Sequence, residues 1–112
     1  MVKLTPDVLR VLNDRKYAKR IKKIIEPLVA DNPFDAYWYA FYALDGQPFP
    51  AGEAALSTST EYAFKYAYLA ICAPFPAGEK AIAQDVSKGI RYARNVLRLP
   101  ESEVHQWGRQ WR

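Results

Sequence analysis

Histidine and cysteine are nearly missing from this chain. There is one of each in 112 residues, His105 and Cys72. A lone histidine with no cysteine beside it makes no zinc site, and a single cysteine makes no intrachain disulfide, so a reducing compartment is expected. Glycine is scarce too, at five. Gly52 and Gly78 are isolated and are assigned to turns, and the Ser57–Thr60 cluster lacks the glycines and following lysine of a phosphate loop. No apolar run approaches the length that spans a bilayer, and the first ten residues lack the apolar core of a secretion signal. The expected location is cytoplasmic, with no membrane partner.

Positive charge is missing from one long stretch. Residues 31–64 carry no Lys or Arg and five acids, Asp31, Asp35, Asp45, Glu53 and Glu61. The flanks are basic: residues 1–30 hold eight bases against three acids, and residues 65–112 hold eight against four. The net charge of +4 therefore averages over blocks of opposite sign. Such blocks bear on the choice and orientation of partners, not on fold. With 50% hydrophobic and 25% charged residues, the chain has the composition of a folded protein of one domain, residues 1–112.

The hexapeptide PFPAGE occurs twice, at Pro48–Glu53 and Pro74–Glu79. Tyr42 and Tyr68 each stand eight residues before the second proline of their copy. A worn third copy starts at Leu99-Pro100, with Tyr92 eight residues before Pro100. Phe64–Ala67 lines up with Ile90–Ala93, and Ala55-Leu56 with Ala81-Ile82. Self-similarity at this period marks a tandem helical unit that needs its neighbour to cover its apolar face.

Each unit reads as a long helix, a proline corner and a short helix. Asp31 or Asn32 caps the first long helix, Pro33 opens it, and Gly46 stops it after Leu44. The second starts at a Thr58/Glu61 capping box and ends before Pro74, and the third runs from an Asp85 cap over Val86 to Leu97. PFPAGE is the corner, with its Phe as a plug between helices. A short helix from Thr5 to Asn13 and a basic helix from Asp14 to Glu26 precede the units, and Pro27 should stop or kink the latter. Val104–Trp111 reads as a terminal cap. The expected fold is all-α: a small single-domain stack of about seven or eight helices. Within it, 1–30 form a basic N-terminal segment and 31–112 two to three helical units.

Tyr66-Ala67 with Phe75-Pro76-Ala77-Gly78-Glu79, and Tyr92-Ala93 with Val96-Leu97 and Leu99-Pro100, carry a resemblance, and Phe49–Glu53 adds the first unit. The pattern resembles tandem helical repeats of small, mostly uncharacterised proteins of tailed bacteriophages and bacteria. It leaves out the basic N-terminal helix. The resemblance implies helical stacking and a phage or mobile-element origin, and with it no catalytic residue, cofactor or substrate.

Lys16, Lys19, Arg20, Lys22 and Lys23 cover most of the basic helix left free by an apolar side of Tyr17, Ala18, Ile21, Ile24 and Ile25. Arg91, Arg94 and Arg98 follow helical spacing as a second basic stripe. Five aromatics crowd residues 37–42, too many to point inward together, which nominates Tyr37 and above all Trp38 for a contact surface. Glu53 and Glu79 recur at helix starts, where the helix dipole accounts for them without acid–base chemistry. Cys72, aligned with the apolar Val96, is expected to be a buried, inert thiol. No catalytic, cofactor or metal-ligating constellation emerges. The expected function is non-enzymatic binding by protein–protein contact, on the phage resemblance to a host factor such as a defence system. The alternative is RNA or DNA binding through the two basic surfaces. A second copy of the chain is a further candidate partner.

Overall fold

The computed structural model describes residues 18–111, with side chains from residue 22 onward. The expected helix at Thr5–Asn13 and the side chains of Lys16, Lys19 and Arg20 lie outside the described residues. Seven α-helices and no strand occur among the described residues. They are α1 (Ala18–Val29), α2 (Pro33–Trp38), α3 (Pro50–Leu56), α4 (Thr60–Lys65), α5 (Glu79–Ile82), α6 (Val86–Asn95) and α7 (Glu101–Val104). The fold is all-α.

The long helices begin on side-chain caps. Asn32 accepts the Asp35 N–H at 3.2 Å, Ser59 that of Tyr62 at 3.2 Å, and Asp85 that of Lys88 at 3.0 Å. The cap of α4 is thus Ser59 and not Thr58, whose hydroxyl donates to Ala55 O at 2.6 Å and closes α3. Pro27 does not end α1, which continues to Val29. Its ring lies on the exposed side, where water can solvate the carbonyl left without a proline N–H.

The helix ends share one geometry. Asp45, Cys72 and Arg98 all adopt left-handed backbone, with φ of 51°, 49° and 56°. Each follows a five-residue hydrogen-bonded loop back to Tyr39, Tyr66 or Tyr92, and each is followed by an N–H bonded to Ala40, Ala67 or Ala93. In the first two, the last turn widens into π-helix, Tyr39–Ala43 and Tyr66–Ala70. Helix α6 therefore stops at Asn95, short of the expected Leu97. Cys72 is the counterpart of Arg98, not of Val96, and it is exposed rather than buried.

With this register, three tyrosines become equivalent: Tyr39, Tyr66 and Tyr92, all at 0% exposure. Each hydroxyl donates to a glutamate 13 residues earlier: Tyr39 to Glu26 at 2.9 Å, Tyr66 to Glu53 at 2.7 Å, and Tyr92 to Glu79 at 2.6 Å. Tyr66 and Tyr92 also accept the buried N–H of Phe49 (2.8 Å) and Phe75 (2.9 Å). The phenylalanine rings in turn pack on the preceding tyrosines, Phe49 on Tyr39 and Phe75 on Tyr66, both at 4.9 Å. Burial pushes all three hydroxyls well above the ordinary tyrosine range, with the carboxylate bonds adding to it. A continuous spine results, from Tyr39 through Phe49, Tyr66, Phe75 and Tyr92 to Trp107 at 5.0 Å.

The glycines of PFPAGE serve this spine. Gly78 has ordinary φ, so turn geometry does not require it. A Cβ on Gly52 would meet the Phe49 ring at 2.6 Å, and one on Gly78 the Phe75 ring at 2.4 Å. The third copy shifts by one residue: Pro100 takes the N-cap place of Phe49 and Phe75, which puts apolar Val104 where Glu53 and Glu79 stand.

Candidate interaction surface

The common register sorts each long helix into inward and outward positions. Inward, Ala36, Ala63 and Gly89 are equivalent, as are Ala40, Ala67 and Ala93, and all are buried. Outward, α4 and its π-turn carry Glu61, Lys65 and Tyr68, and α6 carries Ser87, Arg91 and Arg94. The same three positions on α2 and its π-turn are Phe34, Trp38 and Phe41. Phe34 is 50% exposed and Phe41 36%.

These rings form one cluster. Trp38 stacks on Tyr42 (5.3 Å, 12° between planes) and meets Phe34 and Phe41 edge-on at 6.2 Å each. Tyr62 joins from α4, 5.7 Å from Phe34 and 5.8 Å from Tyr37. The ammonium of Lys65 lies 5.4 Å over the Tyr62 ring and pairs with Glu61 at 3.2 Å. Asp31 is exposed and Asp35 half-buried in the first turn of α2. The result is an aromatic face with acidic edges. Trp38 is half-buried, and its indole N–H is sequestered with no hydrogen-bond partner among the described residues.

The nominated contact residues separate. Tyr37 is core, 3% exposed, with its hydroxyl pKa raised by burial first and then by Tyr42 and Tyr62. The exposed ring of the run is instead Phe41, joined by Phe34 one turn before Trp38. Their signal was in the sequence: 34, 38 and 41 share one helix face. Tyr37 and Tyr39 point elsewhere.

The basic residues do not make one stripe. Arg91 and Arg94 are exposed on α6, but Arg94 is engaged by Glu101 at 3.0 Å, and Arg98 has left the helix for the left-handed turn. There Arg98 lines an open groove of about 400 Å³ with Tyr68, Cys72, Asn95 and Val96. On α1, Lys22 is half-buried and Lys23 exposed. The apolar side of α1 also differs from expectation. Ile25 and Val29 turn to the core, whereas Ile24 (69% exposed) and Leu28 (61%) turn outward beside Lys23 and Pro27.

Glu53 and Glu79, placed at helix starts by the sequence, have a second task as acceptors for buried tyrosines. Among the described residues no group of His, Cys, Asp and Glu could hold a metal ion. No helix among them is long and apolar enough to cross a membrane. No family model, curated protein or solved structure matches this chain.

Proposed function

We propose that this chain is a non-enzymatic protein-binding module whose contact surface is the aromatic face of α2, centred on Phe34, Trp38 and Phe41. One observation carries this reading. Positions that the two later helices fill with Glu, Lys, Ser, Arg and Tyr are filled here by two phenylalanines and a tryptophan. Trp38 packs in part against the core, but Phe34 and Phe41 are exposed, so packing alone does not call for those two rings. Clustered exposed aromatics give large contact area at small entropic cost, and a contiguous apolar patch marks a binding site. The acidic edges, Asp31 and Asp35, favour a basic partner. A phage or mobile-element setting, with a host factor such as a defence system as target, is supported by the repeat resemblance alone.

The test is capture from bacterial lysate on immobilised protein, wild type against Phe34→Ser with Phe41→Ser. A stoichiometric partner retained by wild type should weaken by about tenfold or more per ring. A partner held equally by both chains would remove this face from the interface. RNA or DNA captured in a salt-sensitive way, and lost with Lys22→Glu and Lys23→Glu, would replace this reading with the nucleic-acid one.

A further inference from the structure

Ile24 and Leu28 raise the same question as the aromatic face. By the glutamate register (Glu26, Glu53, Glu79) they correspond to Ala51 and Ala55 of α3 and to Ala77 and Ala81 at the second PFPAGE corner and α5. Alanine therefore suffices at these places elsewhere, yet α1 turns two large aliphatic side chains to solvent. They lie one turn apart, with Lys23 on the adjoining part of the helix surface. The neighbouring helices α1 and α2 thus carry both departures: an aliphatic, basic face on α1 and an aromatic, acidic-edged face on α2.

The two faces are complementary in charge and in chemistry. Within one chain they do not bury each other, since Ile24, Leu28, Phe34 and Phe41 are exposed together. We infer that the aromatic face of α2 is covered by α1 of a second copy of this chain, Ile24 and Leu28 seating on Phe34 and Phe41 while Lys23 meets Asp31 and Asp35. This inference rests on the aromatic face being a contact surface and names its occupant. The contact joins two different patches, so it closes into a pair if the geometry allows both contacts at once and otherwise extends head to tail. Either arrangement raises the mass. Apolar burial supplies the attraction, and the charges set the register and orientation.

The experiment is light scattering on the full chain during size separation, at low and near-physiological salt over a concentration series. The expected mass lies above 12.8 kDa and rises with concentration, more strongly at low salt. Two variants give the decisive comparison: Lys22→Glu with Lys23→Glu, and Asp31→Lys with Asp35→Lys. Each alone should run at the monomer mass with wild-type helical circular dichroism. Mixed in equal amounts, they should regain a higher mass, because one supplies the reversed basic face and the other the reversed acidic face. Recovery on mixing excludes misfolding as the cause of either loss. A monomer mass for wild type at every concentration overturns the inference, as does a higher mass unchanged by Ile24→Ser or Phe41→Ser. Should wild type be monomeric while Phe34→Ser with Phe41→Ser still loses a lysate partner, the occupant is wrong and the contact face stands.

Discussion

Removing one oxygen atom, by Tyr66→Phe, tests the spine. The Tyr66 hydroxyl accepts the N–H of Phe49 at 2.8 Å and donates to Glu53 at 2.7 Å. The N–H lies in a buried bond between residues 17 apart, and removing the hydroxyl takes that acceptor away. An orphaned buried donor costs about 1–3 kcal/mol. The carboxylate loses a hydrogen bond to a charged group, but Glu53 is only half-buried, so water replaces part of it and about 1 kcal/mol remains. The two losses come to about 3 kcal/mol, a large share of the roughly 5–15 kcal/mol that holds a small domain together. Tyr39→Phe is the internal control. Tyr39 bonds Glu26 alone, because the residue placed as Phe49 is to Tyr66 would be Lys22, whose N–H lies inside α1. It should therefore cost about 1 kcal/mol. Urea unfolding followed by circular dichroism reads both, and equal slopes would show that only stability has changed. Equal losses for the two variants, or a Tyr66→Phe loss below about 0.5 kcal/mol, would refute the claim that the tyrosine holds the corner by its backbone bond.

Alkaline pH acts on the same groups. The hydroxyls of Tyr39, Tyr66 and Tyr92 have folded-state pKa values raised above the unfolded value near 10, so their contribution is complete below that pH and is lost as pH rises past it. The unfolding free energy from urea titrations should fall above pH 10 by about 1.4 kcal/mol per pH unit for each tyrosine, and Tyr66→Phe should make that fall shallower. Gly52→Ala drives a Cβ into the buried Phe49 ring and should cost about 1–3 kcal/mol, whereas Gly89→Ala finds its nearest neighbour, Trp107, at 3.5 Å and should stabilise by about 0.5–1 kcal/mol. Thermal melts of the pair check the contrast, and equal signs would count against it. Asp85→Ala removes the cap of α6 and should cost about 1 kcal/mol. The Lys88 N–H and ammonium hold the Asp85 carboxyl below its ordinary value near 4, so this loss should be present at neutral pH and shrink in acid titrations below that value.

The helices were legible because their signals are local. Asn32, Pro33 and Asp85 announce starts by side-chain chemistry, and apolar spacing reveals the buried alanines. Register was legible only in part. Counting back from the prolines pairs Tyr42 with Tyr68, but the connections after the π-turns differ in length, so that count slides. The functional anchor is the tyrosine that must reach a glutamate 13 residues earlier, and no local pattern states that a hydroxyl and a carboxylate meet across a corner. Cys72 shows the cost of the slip. Aligned with Val96 it looks apolar and buried, yet it occupies the left-handed turn of Asp45 and Arg98, where its side chain faces water. Tyr37 and Trp38 were nominated from the crowding of residues 37–42, whereas exposure follows the helix face, which brings out Phe34 and Phe41.

Internal repetition turns this chain into its own control. A residue that recurs at equivalent places, as Tyr66 and Tyr92 do, answers to the scaffold, because the same two bonds form each time. A residue that departs from its equivalents in an outward position answers to something else. Phe34 stands where Glu61 and Ser87 stand, and Leu28 where Ala55 and Ala81 stand. Substituting the equivalents of the two exposed rings into α2 and its π-turn, Phe34→Glu with Phe41→Arg, should therefore leave the spine and its urea midpoint nearly unchanged, since surface changes fall within about 0.5 kcal/mol. Binding should be lost. A large fall in stability would instead assign the rings to the core of the first unit and remove the basis for a contact face.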